Sequence, residues 1–367
     1  MPLFKGPRNQ ILEPLQSVCG IVEKRHTLPI LSNVLIEKEG DRLTLLATDI
    51  EIQIKTSAAT VAGENQSLTV AARKLQDILR ALPEDVEVTL TLDEKRLQVK
   101  SGRSRFSLQT LPSEDFPRMA HSDGSETRLM LTQRQFKRLL ALVQYAMAQQ
   151  DIRYYLNGLL LVVKGNQVCV VATDGHRLAY ASETLDEQFP SIEVILPRKT
   201  VLELSRQLEE NEDTLEIVLT PTQALFRFGS IEFISKLIDG KFPDYERVIP
   251  KGHVILVKLA RQNFLQSLLR AKILTNEKTP GVRLMFSNNS LKIIGNNTER
   301  EEAQEEIEID FEGDTIDIGF NVNYLLDVLN NVPNEQIECH LGDANSSALF
   351  QLTDNQNFKY VVMPMRI

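Results

Sequence analysis

Few residues of this chain could do covalent chemistry. Asp174-Gly-His-Arg177 sets a carboxylate two residues from an imidazole, the pairing a general acid–base unit uses. Side chains at i and i+2 on a strand and its turn do not meet by themselves, and no nucleophile accompanies them. Asp174 also repeats Asp49, which is followed by Ile50-Glu-Ile52 with no histidine. An enzyme such as a hydrolase, built on Asp174 and His176, is therefore the lesser reading, and no catalytic residue is assigned. Gly175-His-Arg177 reads instead as a turn special to its own part of the chain. The histidines at 26, 121, 176, 253 and 340 are dispersed, so no metal site is expected. Cys19, Cys169 and Cys339 are far apart and odd in number. They make neither a disulfide framework nor a CxxC site, and they fit a reducing cytosol. GxxxxGK[ST], GxGxxG, HExxH and GxSxG are all absent, so no cofactor is expected.

The elements that must position such residues repeat along the chain. Leu43-Thr-Leu-Leu-Ala-Thr-Asp49 resembles Val168-Cys-Val-Val-Ala-Thr-Asp174 at an offset of 125 residues, and Leu291-Lys-Ile-Ile-Gly-Asn-Asn297 is a weaker third copy 123 residues on. Upstream of each copy lies an i, i+4, i+7 apolar stripe: Ile11, Leu15 and Val18, then Phe136, Leu140 and Val143, then Phe264, Leu268 and Ala271. Each predicts an amphipathic helix, and Thr132 with Gln135 offers the second a capping box. Downstream stripes at i, i+3, i+7 predict a second helix: Leu75, Ile78 and Leu82, then Val201, Leu204 and Leu208, then Leu325, Val328 and Val332. A strand-like run follows each, at Val86–Leu92, Leu215–Leu219 and Ile337–Leu341. The polar segments Arg118–Thr127 and Asp244–His253 read as linkers.

The chain is thus expected to be three α+β units of about 120 residues, each large enough to be a domain, spanning 1–126, 127–253 and 254–367. Each holds two helices and antiparallel strands. The opening residues, polar with two prolines, predict no secretory signal. Apolar runs such as Leu159–Val163 are too short to span a bilayer, so no membrane partner is expected and the location is expected to be cytoplasmic.

Charge is segregated along the chain. The net charge of −9 excludes a strongly basic DNA-coating protein. Yet Arg128–Gln150 and Arg247–Asn276 contain no acid, and both hold a first helix, whereas Glu299–Asp317 carries ten acids and one base. Arg73, Lys74 and Arg80, then Arg198, Lys199 and Arg206, add basic residues to second helices. A charge run is usually a solvated face. Acid-free helices recurring in an acidic chain point further, to a positive surface for a phosphate-bearing polymer. No base-reading motif accompanies it, and aromatics are 6% with no tryptophan, so the expected contact is with duplex backbone, without sequence preference. The apolar tail Tyr360-Val-Val-Met-Pro-Met-Arg-Ile367 reads as an edge strand or as one wall of an apolar groove.

Four segments carry a resemblance: Asp151-Ile-Arg-Tyr-Tyr-Leu-Asn-Gly158, Val171-Ala-Thr-Asp-Gly-His-Arg-Leu178, Ser235-Lys-Leu-Ile-Asp-Gly-Lys-Phe-Pro-Asp-Tyr245 and Val361-Val-Met-Pro-Met-Arg-Ile367. Together with the threefold repeat, they resemble the bacterial β sliding clamps of DNA polymerase III over the whole chain. The resemblance implies three DNA-clamp domains and a head-to-tail homodimeric ring with twelve helices lining the hole. It implies a non-catalytic processivity factor. The implied partners are encircled double-stranded DNA, the polymerase III catalytic subunit, the clamp loader, and other polymerases and repair proteins. DNA contacts carry over to Arg25, Arg73, Gln150, Tyr154 and Tyr155. A peptide groove for a motif like Gln-Leu-x-Leu-Phe carries over to Arg153, Leu156, Thr173, Gly175, His176, Arg177 and Leu178. It continues through Pro243, Arg247, Val248, Asn321 and Tyr324 to the tail residues Val361, Val362, Met363, Pro364, Met365 and Arg366. Leu178, Met363 and Met365 would take the apolar anchors, with Arg153 and Arg177 at the rim. The dimer seam carries over to Phe106 on one chain and Ile273 and Leu274 on the other. Arg96, Arg103 and Arg105 would face Glu301, Glu302, Glu305 and Glu306 there.

Overall fold

Each apolar stripe buries one face of a helix, and that burial is why the helices form where they do. The computed structural model describes residues 2–23, 28–120, 126–353 and 355–366. Among the described residues there are six α-helices: α1 (Arg8–Cys19), α2 (Ala72–Ala81), α3 (Gln133–Val143), α4 (Arg198–Gln207), α5 (Arg261–Lys272) and α6 (Val322–Asn331). Ile11, Leu15, Val18, Phe136, Leu140, Val143, Phe264, Leu268 and Ala271 are all fully buried. Helix α1 runs on through Pro14, which cannot donate to the carbonyl one turn back. Its buried stripe offsets that loss. In α2 the stripe is rotated by one residue, so that Leu79 is fully buried while Ile78 is only half-buried. No helix of the described residues is long and apolar enough to cross a membrane.

The strands form three antiparallel sheets, of twelve, six and four strands among the described residues. The chain divides into two compact units, Met1–Arg134 with Leu202–Leu237, and Gln135–Val201 with Ile238–Ile367. The twelve-stranded sheet lies in the first. It joins the first repeat to the second where strand Ile52–Ala59 pairs with Ile231–Lys236, Ile52 opposite Ser235. In the second unit, Arg177–Pro197 pairs with the final strand Asn355–Val362, Arg177 opposite Val362. Sheets therefore run across the repeat boundaries. Alternating apolar patterns could not reveal this, because they fix which face of a strand is buried and not which strand lies beside it.

The Thr-Asp recurrence is a turn. Thr48 Oγ1 donates to the Ile52 carbonyl (2.8 Å), and Asp49 Oδ1 accepts from the Glu51 and Ile52 amides (3.0 and 2.7 Å). Thr173 and Asp174 repeat this, with Thr173 Oγ1 donating to Arg177 O (2.6 Å) and Asp174 Oδ1 accepting from the His176 and Arg177 amides (2.9 and 3.1 Å). The residue after the aspartate is left-handed in both, Ile50 at φ 71° and Gly175 at φ 91°.

Both expected linkers are partly structured. Arg118 forks onto Glu37 (3.2 and 2.6 Å), and Met119 N donates to Gln53 Oε1 (2.8 Å). Thr127 opens a strand opposite Leu219; residues 121–125 lie outside the described residues. In Asp244–His253, Tyr245–Arg247 is a 3₁₀ turn, and Tyr245, Val248 and Ile249 pack against the core of the second unit. Prolines and charges around these three apolar side chains disguised them as linker.

Candidate functional site

The Thr173–Arg177 turn and the tail meet in the second unit. Met363 N donates to His176 O (2.9 Å), so the last strand continues beyond Val362 along the turn, and Met365 N donates to Gly319 O (2.7 Å). Between turn and tail lies an apolar cavity of about 190 Å³, lined by Arg153, Leu156, Thr173, Gly175, Arg177, Leu178, Pro243, Tyr245, Val248, Val361 and Met363. Ten of these are residues the resemblance assigns to a groove. Tyr245 is the addition; its ring stacks on Tyr180 at 6.0 Å. The signal that could have found it was the aromatic in Phe242-Pro243-Asp244-Tyr245. Leu156 and Val361 sit on the floor, almost wholly buried, while Met363 keeps 42% of its surface exposed and forms a movable wall.

Gly175 is required by more than its left-handed backbone. A Cβ there would come within 2.9 Å of the Arg153 guanidinium, which lies across it. Arg153 is held by Asp151 (Nε to Oδ1 3.1 Å, Nη2 to Oδ2 2.8 Å) and by the Asp174 carbonyl (3.2 Å). These bonds from Arg153 pull the Asp151 carboxyl down to a pKa of about 2, against an ordinary 3.8. A carboxyl with a depressed folded-state pKa gives up its partner only as pH falls toward that value, so the pair persists throughout the neutral range. In a carboxyl-carbon NMR titration, Asp151 is expected to titrate near 2, and Arg153→Ala to move it back toward 3.8. An unchanged midpoint in the variant would mean that Arg153 does not hold it.

Arg177 does not stand at the rim as expected. Its side chain is 9% exposed. Nε donates to Asp174 (3.1 Å), Nη1 to Asp327 and the Tyr360 hydroxyl (3.4 Å), and Nη2 to the Tyr145 carbonyl (2.7 Å). The guanidinium lies 4.4 Å from the Tyr324 ring centroid. Burial works against its charge, yet Tyr360, Asp327 and Asp174 hold its pKa above the ordinary value. The resemblance put it at the rim; the structure pairs it with Asp174 of its own turn and with Asp327, 150 residues away.

The remaining assigned residues scatter around this core. His176 is exposed, and the Asp174 carboxylate meets backbone amides and Arg177 rather than its imidazole, so the two make no acid–base pair. Arg247 is exposed and paired with Asp244 (2.8 Å). Asn321 caps α6 by accepting from Asn323 N (2.9 Å), and Tyr324 lies on that helix under Arg177. Val362 is fully buried, Pro364 and Met365 are half-buried, and Arg366 is exposed.

Of the expected DNA contacts, Arg25 lies outside the described residues. Arg73 donates twice to the Val22 carbonyl (3.1 and 2.5 Å) in the first unit. Gln150, Tyr154 and Tyr155 share one loop in the second, where Gln150 has φ 57° and the two rings meet edge to face at 5.8 Å. Some of the helical charge is internally paired: Arg134 with Glu212, Arg206 with Glu203, Arg270 with Glu305. Lys74, Arg80, Arg138 and Lys272 are exposed. At the expected seam, Phe106 and Leu274 are half-buried, and Ile273 is 76% exposed, too much for helix-end core packing.

Two helices per repeat, antiparallel sheets continuous across repeats, and an apolar groove walled by the chain's last residues define a three-domain DNA clamp. The chain belongs to the DNA polymerase III beta subunit family. Its N-terminal, central and C-terminal domain models match residues 4–120, 130–244 and 246–366. The beta sliding clamp of Pseudomonas aeruginosa is 49% identical over 99% of this chain and 100% of its own length, and that of Pseudomonas putida is 49% identical with the same coverage. A crystal structure of the Pseudomonas aeruginosa sliding clamp bound to griselimycin superposes with a TM-score of 0.96 at 47% identity, covering 99% of both chains.

Proposed function

We propose that the chain is a sliding clamp that tethers replicative DNA polymerase to its template. Two copies close head to tail into a ring around duplex DNA, with twelve helices facing the hole. The exposed cations of α2, α3 and α5 give that lining a mild positive potential without tight, sequence-reading contacts. A duplex is then kept in the ring yet free to slide, and its contacts weaken with salt. Gln150, Tyr154, Tyr155, Arg73 and Arg25 touch the DNA in this reading. The clamp performs no turnover and works in the cytoplasm, where the DNA and its polymerases are.

The observation that carries the reading is the apolar cavity between the 173–178 turn and Met363. Its size and its two walls suit a short extended segment with apolar anchors, the linear-motif mode of recognition. The polymerase III catalytic subunit, the clamp loader, and other polymerases and repair proteins would each present such a segment.

Topology tests the tether directly. Loaded by clamp loader and ATP onto a nicked circular duplex, the protein is expected to stay with the DNA through gel filtration in high salt. It should be lost when the circle is cut, because a ring slides off an end. Salt-resistant retention on linear DNA would refute encirclement.

A further inference from the structure

The cavity is bounded by residues from segments far apart in sequence, and one cation joins several of these segments. The buried Arg177 guanidinium bonds to its own turn through Asp174 and to the Tyr145 carbonyl after α3. It also bonds to the Tyr360 hydroxyl on the last strand and to Asp327 on α6. Tyr360 OH in turn donates to the Tyr324 carbonyl (2.9 Å), tying the last strand to the same helix. Leu178, next in sequence, lines the cavity, and the carbonyl of His176 holds Met363 in the opposite wall. The place of this turn therefore sets the distance between the two walls.

Asp327 is not among the residues that line the cavity, and its side chain is 40% exposed. Yet it is the one carboxylate that reaches Arg177 from outside the turn among the described residues. Asp174 travels with the turn and cannot fix it in space; Asp327 is anchored on α6 by the buried Leu325, Leu326, Val328 and Leu329 around it. A buried guanidinium that loses one of two carboxylates shifts toward the other or toward water. Here that shift would move Leu178 and His176 with it.

We propose that Asp327 is a positioning residue for the groove: by holding Arg177 from helix α6, it sets the turn wall and thereby the affinity for partner peptides. The inference rests on the groove reading. It is tested on the full-length dimer with a fluorescent peptide containing Gln-Leu-x-Leu-Phe. Asp327→Asn keeps the shape and removes the charge, and is expected to weaken binding about tenfold while the chain stays folded. Asp327→Glu keeps the charge and is expected to bind within about threefold of the original chain. In an Arg177→Met background, Asp327→Asn should have no further effect, since it acts only through the guanidinium. That cancellation separates positioning from general destabilisation. Methyl NMR of labelled methionine should show the Met363 and Met365 signals moved in Asp327→Asn, and those of Met119 and Met130 in the other compact unit unmoved.

Binding by Asp327→Asn equal to the original chain would overturn the inference, as would an equal loss from Asp327→Glu or a loss that survives in the Arg177→Met background. An original chain that fails to bind the peptide would overturn the groove reading, and this inference with it.

Discussion

A chain ending at Val362 is expected to fold, and to assemble into the proposed dimer, like the full chain but no longer to bind a Gln-Leu-x-Leu-Phe peptide saturably. The strand survives the cut: Tyr360, Val361 and Val362 are almost wholly buried and paired with Arg177, Leu178 and Ala179. What leaves is Met363 with its bond to His176 O, and Met365 with its bond to Gly319 O. Burying a methionine-sized surface against a ligand contributes about 2 kcal/mol, so losing the Met363 wall alone costs about thirtyfold in affinity. The loss of both methionines puts binding beyond an ordinary titration. Fluorescence anisotropy on the two chains measures it, with sedimentation velocity as the control for the dimer. Equal affinities would show that the peptide sits elsewhere. Leu178→Ala, which deepens the cavity from the opposite wall without touching the tail, should weaken binding as well, since an anchor then has contacts on one side only.

The elements of this site were more legible than its interior. Helical stripes such as Phe136, Leu140 and Val143 are local in sequence and follow from a 3.6-residue period, so spacing alone places all three first-helix stripes. The Asp49 and Asp174 turns were visible as a repeat, and their hydrogen bonds explain why the pair recurs without catalysis: the carboxylate caps backbone amides. What sequence could not show was partner choice over distance. Nothing near Arg177 predicts that Asp327, 150 residues away, reaches it. Tyr245 was hidden by the polar residues around it. Likewise Arg134 and Arg270 look free in acid-free stretches, yet both are matched by acids from other segments. Glu203, on the same helix as Arg206 and one turn before it, was a local exception that spacing could have caught.

Charge reversal on one strand edge is expected to turn the proposed dimer into monomers, and a mixture of two such failures is expected to restore it. Strand Ser104–Leu111 pairs with Arg96–Ser101 on one side, but on the other meets a neighbour only at Thr110 and Leu111 among the described residues. Arg105 on this strand, Arg103 in the turn that leads into it and Arg96 on its paired neighbour are all exposed. Strand Glu302–Glu308 ends the four-stranded sheet and presents exposed Glu302, Glu306 and Glu308. Glu305 is not available to a partner chain in the same way, because Arg270 of its own chain holds it at 2.5 Å. In the proposed ring, two open edges of opposite charge would satisfy each other head to tail, and two such seams would close it. Replacing Arg103 and Arg105 by Glu sets acid against acid at both seams of a homodimer. Like charges across an interface cost several kcal/mol, about a thousandfold in affinity at about 4 kcal/mol. Replacing Glu302 and Glu306 by Arg fails for the mirror reason. Mixed one to one, however, the first variant's acidic edge meets the second's basic one, and the two unaltered edges meet at the other seam. Sedimentation velocity should therefore show monomers for each variant alone and heterodimers for the mixture. Neither variant carries a complementary pair of edges by itself, so a dimer that forms only on mixing must join the edge of one chain to the edge of the other. Variants that each stay dimeric, or a mixture that stays monomeric, would refute this pair of edges as the seam.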